Sequence, residues 1–336
     1  MKQLYFSLLS SLLFYALPCT ALLTLDEEQP NNQESSPIPS FELPWLTGPL
    51  LAPSGHVVPV GHINIEPYFN VNVSNGSYNE HWKAQSAENN FYNNLVQVPM
   101  QIGLMNRWDF VIVPQFSWNH IDGASHWVYN DLPLELEYQI YYDTPGTWPP
   151  AIKLSFRASA PLGKYQKLDP NDKGTDSGGS GSWNPGLGLT FSRLFHYTGV
   201  HFLAARLALS YTIPNSVHVK GFNTYGGGKH TNGTVYPGPS FFADIGLEYT
   251  LAQKWALALD IVYAHSNHTR FKGHKGKTDG VTNVIGGPSS EQFSLAPAIE
   301  YNWNANCGII AGVWFSVAGR NTAEFINGII AINIYK

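Results

Sequence analysis

HINIEPYFNVNV (residues 62–73) decides the fold. Its apolar members Ile63, Ile65, Pro67, Phe69, Val71 and Val73 all fall on odd numbers, and His62, Asn64, Glu66, Tyr68, Asn70 and Asn72 fill the even ones. A period of two over about a dozen residues describes a long strand with one greasy and one wet face. That length is what a tilted strand needs to cross a bilayer.

The pattern recurs along the chain. Val96, Val98, Met100, Ile102 and Leu104 alternate with polar or small residues, as do Phe110, Ile112, Phe116 and Trp118, then Leu132, Leu134, Leu136, Tyr138, Ile140 and Tyr142, then Ile152, Leu154, Phe156 and Ala158. Further runs occupy 187–191, 203–213, 241–249, 255–263, 293–303, 309–317 and 326–334. Together they predict about twelve strands, an even number, as single-chain membrane barrels have. The connections support closure into an up-and-down barrel. Long ones are expected at 74–90, 121–131, 162–183, 214–237 and 266–290, and short ones at 106–108, 144–150, 196–199, 251–254 and 304–306. Short turns at one end and long loops at the other are the habit of outer-membrane barrels, and Greek-key sandwiches have no reason to show it. Aromatic residues including Tyr68, Trp108, Trp118, Trp127, Trp255, Tyr263, Tyr301, Trp303 and Tyr335 cluster near the ends of the runs, where interfacial girdles lie.

Residues 1–21 read as a secretory signal: Lys2, an apolar stretch from Leu8 to Leu17, then Cys19, Thr20 and Ala21 as a small-x-small cleavage site. Removing it leaves Cys307 as the single cysteine, so no internal disulfide is expected. Residues 22–54 are polar and proline-rich, read as a tether or a loosely docked segment, and 55–336 as the barrel. Only 13% of the 336 residues are charged, against 43% hydrophobic and 14% aromatic. A chain so poor in charge, with no apolar run long enough for a spanning helix, is either a soluble all-β protein or a membrane barrel. A net charge of -5 offers no footprint for nucleic acid.

If apolar residues face lipid, the alternate positions line the lumen. They include Glu66, Glu135, Glu137, Asp244, Glu248, Asp260 and Glu300, with Lys153, Arg157 and Arg206. No mid-strand charge falls on the lipid face, where each would cost about 2–4 kcal/mol at the midplane. Arg193 shares parity with the apolar set and would have to snorkel at a strand end. The lumenal charges read either as a filter for solutes or as cross-strand salt bridges that plug the interior. Lys153 and Arg157 would sit opposite Glu135 and Glu137, and Arg206 would find a partner among the remaining acids. The acidic excess favours cations or neutral solutes. On this reading Leu136→Arg or Leu257→Arg impairs assembly, and Glu137→Arg is tolerated better.

His265, His268 and His274 share one loop, and His218 and His230 another, without the cysteine or carboxylate spacing of a zinc site, so no metal and no cofactor are expected. His265 and Ser266 are adjacent and would point to opposite faces, which disfavours a lipid-hydrolase pairing; no enzymatic activity is expected.

The segment GPLLAPSGHVVPVGHINIEPYF (residues 48–69), with its Pro/Gly lead into a strand ending in Glu-Pro-Tyr, and the repeated long hairpins resemble the outer-membrane barrels of the meta-pathway of phenol degradation. The likeness covers most of the chain from Leu51 onward. It implies a porin-like transporter of hydrophobic or aromatic compounds, with bacterial outer-membrane lipids, lipopolysaccharide and the barrel-assembly machinery as partners, and it carries over no binding residue. A structural barrel whose long loops are the working part, with a plugged lumen, is the alternative.

Overall fold

The computed structural model describes residues 43–144, 148–278 and 280–336. The signal and the first part of the 22–54 segment lie outside the described residues. The chain forms a closed antiparallel barrel of 12 strands. The first four wall strands are each built in two pieces: β1 (Ile63–Ile65) with β2 (Tyr68–Tyr78), β3 (Ala84–Gln97) with β4 (Met100–Met105), β5 (Trp108–Ile112) with β6 (Gln115–Ile121), and β7 (Ala124–Tyr129) with β8 (Leu132–Tyr141). Pro67, Pro99 and Pro114 stand at three of the breaks. Proline has no N–H to give to a ladder, so the wall loses a rung and bends there.

The remaining strands run unbroken. They are β9 (Ala151–Ala160), β10 (Gly186–Thr198), β11 (His201–Thr212), β14 (Ser240–Ala252), β15 (Trp255–Ser266), β19 (Ser290–Asn304), β20 (Cys307–Arg320) and β21 (Thr322–Tyr335). Loop strands β12 (Val217–Lys220), β13 (Asn232–Tyr236) and β16 (Arg270–His274) form a separate small sheet, and β17 (Lys277–Thr278) pairs with β18 (Val281–Thr282). The ring closes where β1 meets β21, with Asn64 opposite Tyr335 and Ile65 opposite Ile334. Reciprocal backbone bonds between Ile63 and Lys336, at 2.7 and 2.9 Å, finish the seam. Closure satisfies backbone groups that hydrocarbon could not.

Two expected loops are strand instead. Residues 74–90 form a hairpin turning at 79–83, and 121–131 turn at Asp122 and Gly123 into β7. Both faces of 84–94 meet water, so alternation vanishes there although the ladder continues. β7 pairs with β6 alone among the described residues. Residues of the 161–185 loop lie against this part of the wall: Asn119 Nδ2 donates to the Thr175 carbonyl at 2.9 Å, and the Gly163 and Ser180 amides donate to Asp131 at 3.0 and 2.7 Å. An edge so covered cannot recruit a foreign strand.

Parity sorts the two faces. Phe69, Val71, Leu136, Leu187, Ile245, Leu257, Ile299 and Ile330 are exposed on the outside. Aromatic pairs ring both ends, Trp108–Tyr138 and Trp255–Tyr301 at the short-turn end and Tyr263–Phe293 toward the long loops. Tyr68 and Tyr335, expected in the girdles, are buried. Arg193 does lie on the outer face, and its guanidinium sits over Trp148 and Phe195 at 5.5 and 5.2 Å. Such cation–π seating is how a cation tolerates that position.

Leu136→Arg should destabilise the barrel by about 2–4 kcal/mol and reduce the heat-modifiable folded band on a gel, whereas Ser216→Arg, exposed in a loop, should leave that band unchanged.

Candidate functional site: the lumen and its inner segment

All ten charged residues expected on the lumenal face point inward. Glu66, Glu135, Glu137, Lys153, Arg206, Asp244, Glu248, Asp260 and Glu300 are buried, and the Arg157 side chain is 14% exposed. They fall into three groups around the wall.

The first is a salt-bridge network on β8 and β9. Lys153 Nζ donates to Glu137 Oε2 at 2.7 Å, Ser155 Oγ to Glu137 Oε1 at 2.9 Å, and Gln101 Nε2 to Glu137 and Asp109 at 2.9 and 2.5 Å. Arg157 Nε donates to Glu135 Oε1 at 2.9 Å. Register explains the pairing, since Glu135 lies directly opposite Arg157. Glu137 is therefore not the tolerant position expected from its polar face: an arginine there would set two cations together in a buried site.

The second group lies on β11, β14, β15 and β19. Here Asp244, Glu248, Asp260 and Glu300 share one cation, Arg206, whose guanidinium reaches Glu248 at 2.9 Å. Neither oxygen of Asp244 has a hydrogen-bond partner among the described residues. The third group is at the seam, where Glu66 accepts from Asn64, Tyr68 and Asn333 at 2.8, 3.1 and 2.5 Å.

Residues 43–62 do not hang free of the barrel. They run inside it, starting at the short-turn end, where Gln253 Nε2 donates to the Leu43 carbonyl at 3.0 Å. The chain climbs past Thr47, turns at Leu50 to Ala52, and descends to β1 at the same end. Wall carboxylates and amides hold its backbone: Thr47 N to Glu300 at 2.9 Å, Ala52 N to Asp260 at 3.0 Å, Val57 N to Gln139 at 2.8 Å, and Val58 N to Asp109 at 2.7 Å. Hydrogen bonds to charged acceptors contribute about 1.5–3 kcal/mol each. Beside it, the His56 imidazole meets Asp143 at 2.9 Å.

Glycines make the seat. A Cβ on Gly246 would lie 2.5 Å from Ala52 Cβ, one on Gly312 2.6 Å from Leu50 Cδ1, and one on Gly308 2.2 Å from Thr47 Oγ1. Such close approach is a reason for glycine in mid-strand. Leu50 and Leu51 pack on an apolar sector of the wall that includes Phe242, Val262, Ile310, Trp314, Phe325 and Ile329. The alternation rule missed this sector because GIIAGVWF (308–315) and GIIAI (328–332) are apolar on both faces, so parity carries no signal there. The glycines at lumenal parity were the signal for the inner segment. Among the described residues no group of His, Cys, Asp and Glu is placed to hold a metal.

No family model and no curated protein sequence matches the chain. The fold is shared with the crystal structure of the COG4313 outer membrane channel from Pseudomonas putida F1, at TM-score 0.65 and 13% identity over 84% of this chain and 98% of that one. The translocator domain of the autotransporter NalP from Neisseria meningitidis aligns at TM-score 0.43 and 9% identity, over 81% of this chain and 87% of its own. The TodX monoaromatic hydrocarbon channel deltaS2 mutant aligns at TM-score 0.36 and 13% identity, over 83% and 90%.

Lys153→Met should cost about 3–5 kcal/mol, because it leaves the fully buried Glu137 and Asp109 without their cation. Adding Glu137→Leu should recover part of that loss, as read from urea unfolding of the purified barrel followed by tryptophan fluorescence.

Proposed function

We propose that this protein is a passive channel of a bacterial outer membrane, taking small solutes, hydrophobic or aromatic compounds among them, through a lumen that its own inner segment narrows. No cofactor and no bond chemistry are needed. The observation that carries the reading is the division of the lumen into two cavities by the segment's bend. One, about 20 Å³, lies toward the long loops and is lined by Leu51, Glu135, Thr190, Ser210 and Phe242. The other, about 50 Å³, lies toward the short turns, against Leu46, Ser54, His56, Ser192 and Arg206.

The outer location is supported by the apolar exterior and its girdles, and by the fold shared with an outer-membrane channel. The passage of hydrophobic solutes is supported by the apolar wall sector under Leu50 and Leu51, in keeping with the resemblance to the phenol meta-pathway barrels. The polar part of the wall keeps its net charge in the group of four carboxylates with one arginine, so ions crossing it should be cations. Fixed charge in a confined passage is screened far less than at a surface.

The occupied lumen favours a second reading, a closed barrel whose loops are its working part. Planar-bilayer recording separates the two. Gly246→Leu forces Ala52 and Pro49 off the wall and should raise conductance several-fold in a barrel that still runs heat-modifiably. Conductance that stays at the baseline in such a folded variant would support the second reading. In the open variant, neutralising Asp244, Glu248 and Asp260 together should move the reversal potential in a salt gradient toward zero. Neutralising the pair Glu135 and Arg157, which cancel each other across 2.8 Å, should barely move it.

A further inference from the structure

The loops that follow β11 and β15 build a sheet rich in cations. β12, β13 and β16 form a three-stranded antiparallel sheet, with Val217, Val235 and Phe271 in one row and His218, Thr234 and Lys272 in the next. Its inner face buries Val217, Val219 and Val235 against Tyr225, Ile285 and Tyr165, the last from the 161–185 loop. The outer face is consequently turned away from the other loops. It exposes His218 and Lys220 on β12, and Arg270, Lys272 and His274 on β16. None of the three strands contains a carboxylate.

In the 161–185 loop, Lys164 meets Asp176 at 2.5 Å, and Lys173 meets Asp122. Lys220, Arg270 and Lys272 make no ion pair among the described residues. At the border of the sheet, Lys229 and Lys277 are set directly across from each other in a backbone bridge. Like charges so placed repel. A folded platform that gathers cations without internal compensation is built for an external anion.

We propose that this face docks the phosphate-bearing saccharide headgroups of glycolipid in the outer leaflet around the barrel. The spacing favours that partner over a compact anion. The cations of β12 and β16 stand about 10 Å apart, two strand spacings, with uncharged Asn232, Thr234 and Tyr236 between them to bond sugar hydroxyls. The sheet grows from the ends of β11, β14 and β15, so it stands at the rim of the wall, within reach of the leaflet. The inference rests on the barrel lying in an outer membrane, yet it does not depend on conduction.

The test is equilibrium binding of fluorescent diphosphoryl lipid A to the purified full chain in nonionic detergent. A basic side chain near an anionic lipid surface contributes about fivefold in affinity, so Lys220→Gln with Arg270→Gln and Lys272→Gln should weaken binding roughly a hundredfold. Wild-type binding should also fall steeply with added salt and be lost for dephosphorylated lipid A, two measurements that need no variant. Equal affinity for the dephosphorylated lipid, salt-independent binding, or a heat-modifiable triple variant that binds as well as wild type would each overturn the proposal. So would inorganic phosphate that competes as effectively as the lipid, since the face would then hold a free ion. Failure of the channel reading would appear in conductance and leave these results as they stand.

Discussion

The bonds from backbone amides of residues 47–58 to carboxylates of the wall, at 2.7 to 3.0 Å, hold the interior together. Twelve strands enclose a space too wide for wall side chains to fill from all sides and too narrow for a broad water column. Carboxylates turned into such a space lose much of their hydration and need donors. The inner segment brings them as main-chain N–H groups, which carry no countercharge. It therefore gives Glu300, Asp260 and Asp109 a donor each without adding a countercharge.

That arrangement distributes the lumen's charge unevenly. On β8 and β9 each acid meets a base, Glu135 directly across from Arg157 and Glu137 on the diagonal to Lys153. On β14, β15 and β19 the acids outnumber Arg206, so the field concentrates there, close to the bend of the segment. The apolar sector adjoins that group, running from β14 and β15 across β20 to β21.

Much of this was legible beforehand, for a physical reason: a wall between hydrocarbon and water stamps a period of two on the chain. Parity placed Glu66 through Glu300 on the inner face and anticipated that Lys153 and Arg157 meet Glu137 and Glu135. It failed where one of its two media is missing. In 84–94 both faces meet water, and a strand looked like a loop. In 308–315 and 328–332 both faces meet apolar surroundings, and the greasy side of the lumen stayed hidden. The segment 43–62 was harder still, because a chain that borrows its hydrogen bonds from a surrounding wall has no periodicity of its own. Only the wall's glycines recorded its presence.

The path of that segment has a consequence for how the molecule comes together. Leu43 and Ile63 both lie at the short-turn end, so the intervening residues form a loop that enters and returns by one mouth and does not thread the cylinder. Topologically it is a pocketed fold of chain, not a passed rope. The wall can close before the loop is inserted, and the loop can be withdrawn without opening the seam between β1 and β21. Building the cylinder and filling it are separable events, and only the second need be reversible.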